Sequence, residues 1–259
     1  FVTFLGIRFK RMKPERAHWL LTGANLMVAL AAWGVCRLVF GDGYLAQAAF
    51  FVGIMPTATA APVVMGLLGG SVEFMLTALL LINGIICALL PFILPAVVGR
   101  GGFEIYLNVA QNISLVMLLP LALALAARRF YPRAIAWPRK LKDVTFGIWV
   151  VILVLIAANA SYDISSRDGI SERVLEQIGV IALLVCGVNF GLGYLLGGRT
   201  RAAECSQALG QKNTTLSIYL ALTYASPIAA LGPTFYVLWH NLWNAWQLYR
   251  ASERKRRDG

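Results

Sequence analysis

Polar positions along this chain fall in short clusters that separate long apolar runs. Runs of 18 or more apolar residues predict spanning helices, because only a helix satisfies its own backbone across a bilayer's hydrocarbon. Eight spans are predicted, at roughly 17–40, 44–68, 72–98, 105–127, 145–162, 174–198, 202–225 and 228–249. The expected class is an all-α polytopic membrane protein.

Two spans depart from the plain apolar pattern. The second, "YLAQAAFFVGIMPTATAAPVVMGLLGG", has Pro56 and Pro62 bracketing the small residues Thr57 to Ala61. A proline removes a backbone donor and clashes with the preceding turn, so this span should unwind near its centre. The seventh, "RAAECSQALGQKNTTLSIYLALTYAS", places Gly210, Gln211, Lys212, Asn213, Thr214 and Thr215 mid-span. Each broken span is the second of three, within 17–98 and within 174–249, with the spans at 105–127 and 145–162 between the triplets. The triplets enter the membrane from opposite sides, which makes them an inverted repeat. Interrupted spans at corresponding positions of two halves point to the binding site of a secondary transporter, and the two breaks are expected to cross.

Composition supports the membrane reading: 59% of the 259 residues are hydrophobic, 14% are charged, and the mean hydropathy is +0.70. The net charge of +11 could suggest nucleic acid, but its distribution points elsewhere. Eighteen of the 23 lysines and arginines fall at 8–16, 128–142, Arg199 with Arg201, and 250–257. These are alternate loops of the eight-span reading, so that face and the C-terminus are expected to be cytoplasmic, in a plasma (inner) membrane. The opening "FVTFLGIRFKRMK" reads as the last turns of a helix followed by a basic loop, so one or more helices are expected upstream. Cys36, Cys87, Cys186 and Cys205 are scattered through apolar spans without metal spacing and read as small buried residues.

The segments "LGIRFKRMK", "GIMPTATAAPVVMGLLGG" and "ALGQKNTTLSIYLALTY" together resemble the bile acid:sodium symporter family. The resemblance implies ten helices in two inverted repeats, of which this chain holds the last eight. It further implies a core of 17–98 and 174–249 and a panel containing 105–162. That family's broken ninth helix reads Glu-x-Gly-x-Gln-Asn, where the glutamate and glutamine help to bind sodium. The aligned residues here are Ala208, Leu209, Gly210, Gln211, Lys212 and Asn213. The acid is gone and a lysine replaces the glutamine. Where the family often shows a Ser-Asn pair in the broken fourth helix, this chain has Ala61 and Pro62. The expectation is an atypical member: a carrier of a small organic anion, working by alternating access and not coupled to sodium in the usual way.

Lys212 carries the sharpest expectation. It lies about ten residues into its span, roughly 15 Å deep, and facing lipid there would cost about 3 kcal/mol. It should therefore face the interior and have a partner. Glu204, eight positions back and so about 12 Å along a helix, is too far for a direct pair. Lys212 is read either as structural, in an ion pair or held by carbonyls, or as a charge at or beside an emptied sodium position that stabilises the crossing or attracts an anion. An amine without an acid partner can exchange a proton with a cavity, which places proton coupling among the expectations. Gln211, Asn213, Thr214, Thr57, Thr59 and Asn25, the last at similar depth in the first span, are the other candidate substrate- or ion-binding residues. Gln111 and Asn112 could line the cavity from the panel.

No metal, cofactor or enzymatic chemistry is expected. His18 and His240 form no ligand pair, and no His-Glu-x-x-His or paired intramembrane aspartate occurs. An arsenite-type exporter would need a cysteine at 55–62, where there is none. A transporter-like membrane sensor or scaffold without transport activity is the alternative.

Overall fold

The computed structural model describes residues 13–41, 43–100, 103–115, 119–141 and 172–258, with isolated positions at 5 and between 144 and 162. Among the described residues the chain is helical, joined by short turns. In chain order the helices are α1 (Arg16–Phe40), α2 (Tyr44–Ile54), α3 (Ala61–Leu68), α4 (Val72–Val97), α5 (Phe103–Ile113) and α6 (Leu119–Phe130). A 3-10 turn (Pro132–Ala136) follows, then α7 (Trp137–Lys140), α8 (Glu172–Gly210), α9 (Thr214–Tyr224) and α10 (Pro227–Asp258).

Three of these helices, α1, α4 and α8, are long and apolar enough to cross a membrane, and α2 is a shorter apolar helix. The other predicted spans take different forms. The span at 44–68 is two helices, α2 and α3, and the span at 202–225 is the end of α8 followed by α9. The span at 228–249 lies within α10, whose buried His240 and Asn244 make it less apolar. The span at 105–127 contains α5 and α6, with 116–118 between them outside the described residues, as is most of 145–162. The basic positions Arg8, Lys10, Arg11 and Lys142 also lie outside them. Within α8 the backbone leaves helical geometry at Gly198 (φ 57°) and Arg201 (φ −128°, ψ 18°). The kink falls between the predicted spans 174–198 and 202–225.

The chain forms two compact units, one of 1–11 with 87–166 and one of 12–86 with 167–259. In the first unit, α6 ends on Arg128 and Arg129, where cations favour the negative end of a helix, and Tyr131 packs 6.0 Å from Trp137. The second unit holds both broken segments. Its core gathers Val28 of α1, Val52 and Met55 at the end of α2, Ala182, Val185 and Phe190 of α8, and Tyr236 of α10. The approach of α1 to α2 depends on Gly53, where a Cβ would stand 2.5 Å from the Ala29 Cα. Asn25 lies one helical turn before Ala29, so this close contact delivers its side chain to the end of α2.

Candidate functional site

The first break starts where α2 stops. Pro56 lacks the amide hydrogen to continue the helix and disfavours helical geometry at Met55 before it, which sits at φ −48°, ψ 128°. Pro62 then occupies the first turn of α3, where its missing donor matters least. The second break starts after Gly210. Asn213 ends it by accepting the Leu216 amide hydrogen on Oδ1 at 3.4 Å, an N-cap for α9.

Each break satisfies the backbone of the other. The Ala58 amide donates to the Gln211 carbonyl at 2.8 Å, and the Asn213 amide donates to the Pro56 carbonyl at 2.8 Å. Thr57 and Lys212 thus form one isolated antiparallel bridge. Unwound backbone at membrane depth persists only where protein or water meets its hydrogen-bonding needs, and these bonds meet part of that need directly.

The carbonyls left over at the two helix ends are met by side chains. A helix leaves its last four carbonyls without partners along the helix. At the end of α2, Phe51 O accepts from Ser217 at 2.6 Å, Gly53 O from Lys212 at 3.4 Å and Ile54 O from Asn25 at 3.3 Å. At the end of α8, Ala208 O accepts from Thr57 Oγ1 at 2.7 Å and Gly210 O from the Tyr236 hydroxyl at 2.7 Å. Tyr236 in turn accepts from Asn189 Nδ2 at 3.2 Å, and Asn83 Nδ2 donates to Thr57 O at 3.1 Å.

Lys212 is 1% exposed. Its Nζ donates to Asn25 Oδ1 and to Gly53 O, so an amide oxygen and a helix-end carbonyl hold the amine. No carboxylate pairs with it among the described residues. Oxygen contacts of this kind are common to both sequence-based readings. The same oxygens are of the type that would ligate a small cation, which leaves the second reading compatible with the geometry.

The break gathers Lys212, Asn25, Thr57, Gln211 and Asn213. Thr214 is buried and its amide donates to Lys212 O at 3.0 Å, while Thr59 is half-buried in the turn before α3. The side-chain oxygens of Gln211 and Asn83 are buried with no hydrogen-bond partner among the described residues, so they suit a donor such as water. Sequence reasoning missed Tyr236, Asn189, Ser217 and the Gly53 carbonyl. A polar residue inside an apolar run was the signal available for the first three, but nothing in the pattern aims them at the breaks.

A second polar cluster sits at the Arg201 kink. Arg201 bonds Glu15 at 3.0 Å and Glu204 at 3.6 Å, and its guanidinium lies 5.0 Å from the Phe74 ring centre. Glu204 also accepts from the Ser71 amide at 3.1 Å, and His18 stacks on Phe74 with ring centres 4.1 Å apart. The hydrogen bond to Glu15 raises the Arg201 pKa above its ordinary value. Among the described residues no group of three or more His, Cys, Asp or Glu could hold a metal ion.

No protein-family model and no curated protein matches this chain.

Proposed function

We propose that this protein is a secondary carrier of an organic anion, built as an eight-span piece of the inverted-repeat fold of the bile acid:sodium symporters. In this reading a lysine ammonium stands where that family holds a cation. The carrying observation is the Lys212 ammonium bonded to Asn25 and Gly53 O, beside the point where two interrupted helices pair. A cation arriving beside that ammonium would be repelled. Two unit charges 4 Å apart repel by about 4 kcal/mol at an effective dielectric near 20, or roughly a thousandfold in affinity. The built-in charge instead favours an anionic solute and neutralises helix-end carbonyls that a sodium ion would otherwise serve.

The test is uptake into proteoliposomes of labelled carboxylates, from small carboxylates to bile acids. Uptake is expected to persist when choline replaces sodium and to fall in Lys212→Ala. Strict sodium dependence of the unmutated protein would overturn the cation-replacement reading. The burial of Lys212 and the many protein-satisfied carbonyls around it favour a second reading, a transporter-like sensor or scaffold. Absence of uptake for every anion, in a preparation that is folded, would support that reading instead.

A further inference from the structure

Beside the second break, where Phe190 packs against Gly210, a cavity of 1020 Å³ lies between α8 and α10. Its walls include Leu183, Phe190 and Leu195 of α8 and Trp239, Trp243 and Trp246 of α10. Its volume is at the upper end of the range for sites that bury most of a small ligand, about 300–1,000 Å³. Three polar groups on its lining are already engaged within the protein. Ser206 Oγ donates to Phe190 O at 2.8 Å, Trp239 Nε1 donates to Gly179 O at 3.1 Å, and Gln247 Oε1 accepts from Gln207. Most of the wall is aliphatic or aromatic, which favours hydrocarbon.

The wall does not end as it began. Trp239, Trp243, Trp246, Arg250 and Arg254 follow one another at spacings of four, three, four and four residues, which places them on one stripe of α10. The Arg250 guanidinium lies 5.1 Å from the Trp246 ring centre, and both arginines are exposed. The nearby acid Glu253 pairs with Arg256 at 3.6 Å. The helix face that lines an apolar cavity thus continues directly into a basic one.

We propose that this cavity holds an acyl chain of an anionic membrane lipid, with Arg250 and Arg254 receiving its headgroup. The chain chemistry matches the aromatic and aliphatic wall, and the headgroup charge matches the arginines that extend it. Tryptophan belts and basic residues at a helix end are the usual meeting point of these two lipid parts. The proposal does not rest on the carrier reading, because it needs neither Lys212 nor a transported anion.

Lipids brominated in the acyl chain quench tryptophans they contact, so the full chain would be reconstituted in phosphatidylcholine with a minor share of brominated phosphatidylglycerol or brominated phosphatidylcholine. Brominated phosphatidylglycerol should quench more strongly. Filling the cavity with Gly191→Leu should remove that excess, and a Cβ at Gly191 meets nothing within 4 Å, so the fold should tolerate it. Neutralising both arginines, Arg250→Gln with Arg254→Gln, should weaken association of the brominated phosphatidylglycerol about 30-fold. Equal quenching by the two lipids, or an excess that survives in both variants, would overturn the proposal. Thermal stabilisation by inorganic phosphate that needs the arginines, without any lipid preference, would overturn it in favour of a free anion.

Discussion

The two breaks solve one problem with different residues. The first, between α2 and α3, is made of prolines and small residues, and contributes mainly backbone: Pro56 O and the Ala58 amide. The second, between α8 and α9, is made of Gln211, Lys212 and Asn213, and contributes a charge and a cap as well as backbone. Proline opens a helix by removing a donor, whereas the second break opens around groups whose own hydrogen bonds compete with the helix. The first break needs a donor for its exposed carbonyls, and the second supplies one in Lys212. A break that presents carbonyls and a break that presents an ammonium are complementary in a way that two proline breaks could not be.

Removing the ammonium's neutral partner tests this complementarity most severely. Asn25→Leu leaves Lys212 buried with Gly53 O alone, and should cost about 3 kcal/mol of stability in detergent. Adding Lys212→Met to that variant should recover part of the loss, because the buried charge is gone as well. Thermal unfolding of both variants measures this. If the second substitution adds its full separate cost, the two side chains are not coupled.

Gly210→Ala probes the second break from its packing side. The new Cβ would come within 2.3 Å of the Phe190 ring, and such overpacking should destabilise by about 2 kcal/mol. Its counterpart in the first break is Thr57→Val, which keeps the shape and loses the bond to Ala208 O. The expected loss is about 1 kcal/mol, and a loss equal to that of Asn25→Leu would show that the first break also depends on its side chains. The smallest effect belongs to Arg201→Gln, away from both breaks. Its shorter contact is to the exposed Glu15, and the buried Glu204, 3.6 Å away, keeps its bond from the Ser71 amide, so the change should be under about 1 kcal/mol and should shrink as salt rises.

Several features were legible from local pattern alone. Prolines 56 and 62 and the polar run after Gly210 mark the breaks; proline alone is not a sufficient signal, since α4 runs through Pro91 and Pro95 and α10 through Pro233. That Glu204 is too far along its own helix to pair directly with Lys212 was also readable, and in the structure Glu204 pairs with Arg201. Asn25 was named by its depth in the first span, which is a distance along one helix and says nothing of direction.

What the tertiary structure decided is direction and register. Lys212 meets Asn25 because Gly53 lets α1 approach α2 closely, a contact between residues far apart in the chain. Tyr236 and Ser217 became carbonyl donors only when α10 and α9 packed against α8 and α2. Sequence by itself marked two places where helices open, because a bracketing proline pair and a run of competing polar groups weaken the backbone ladder locally. Which side chain answers each opened carbonyl depends on how helices rotate and slide against one another, and close packing of their apolar faces sets that.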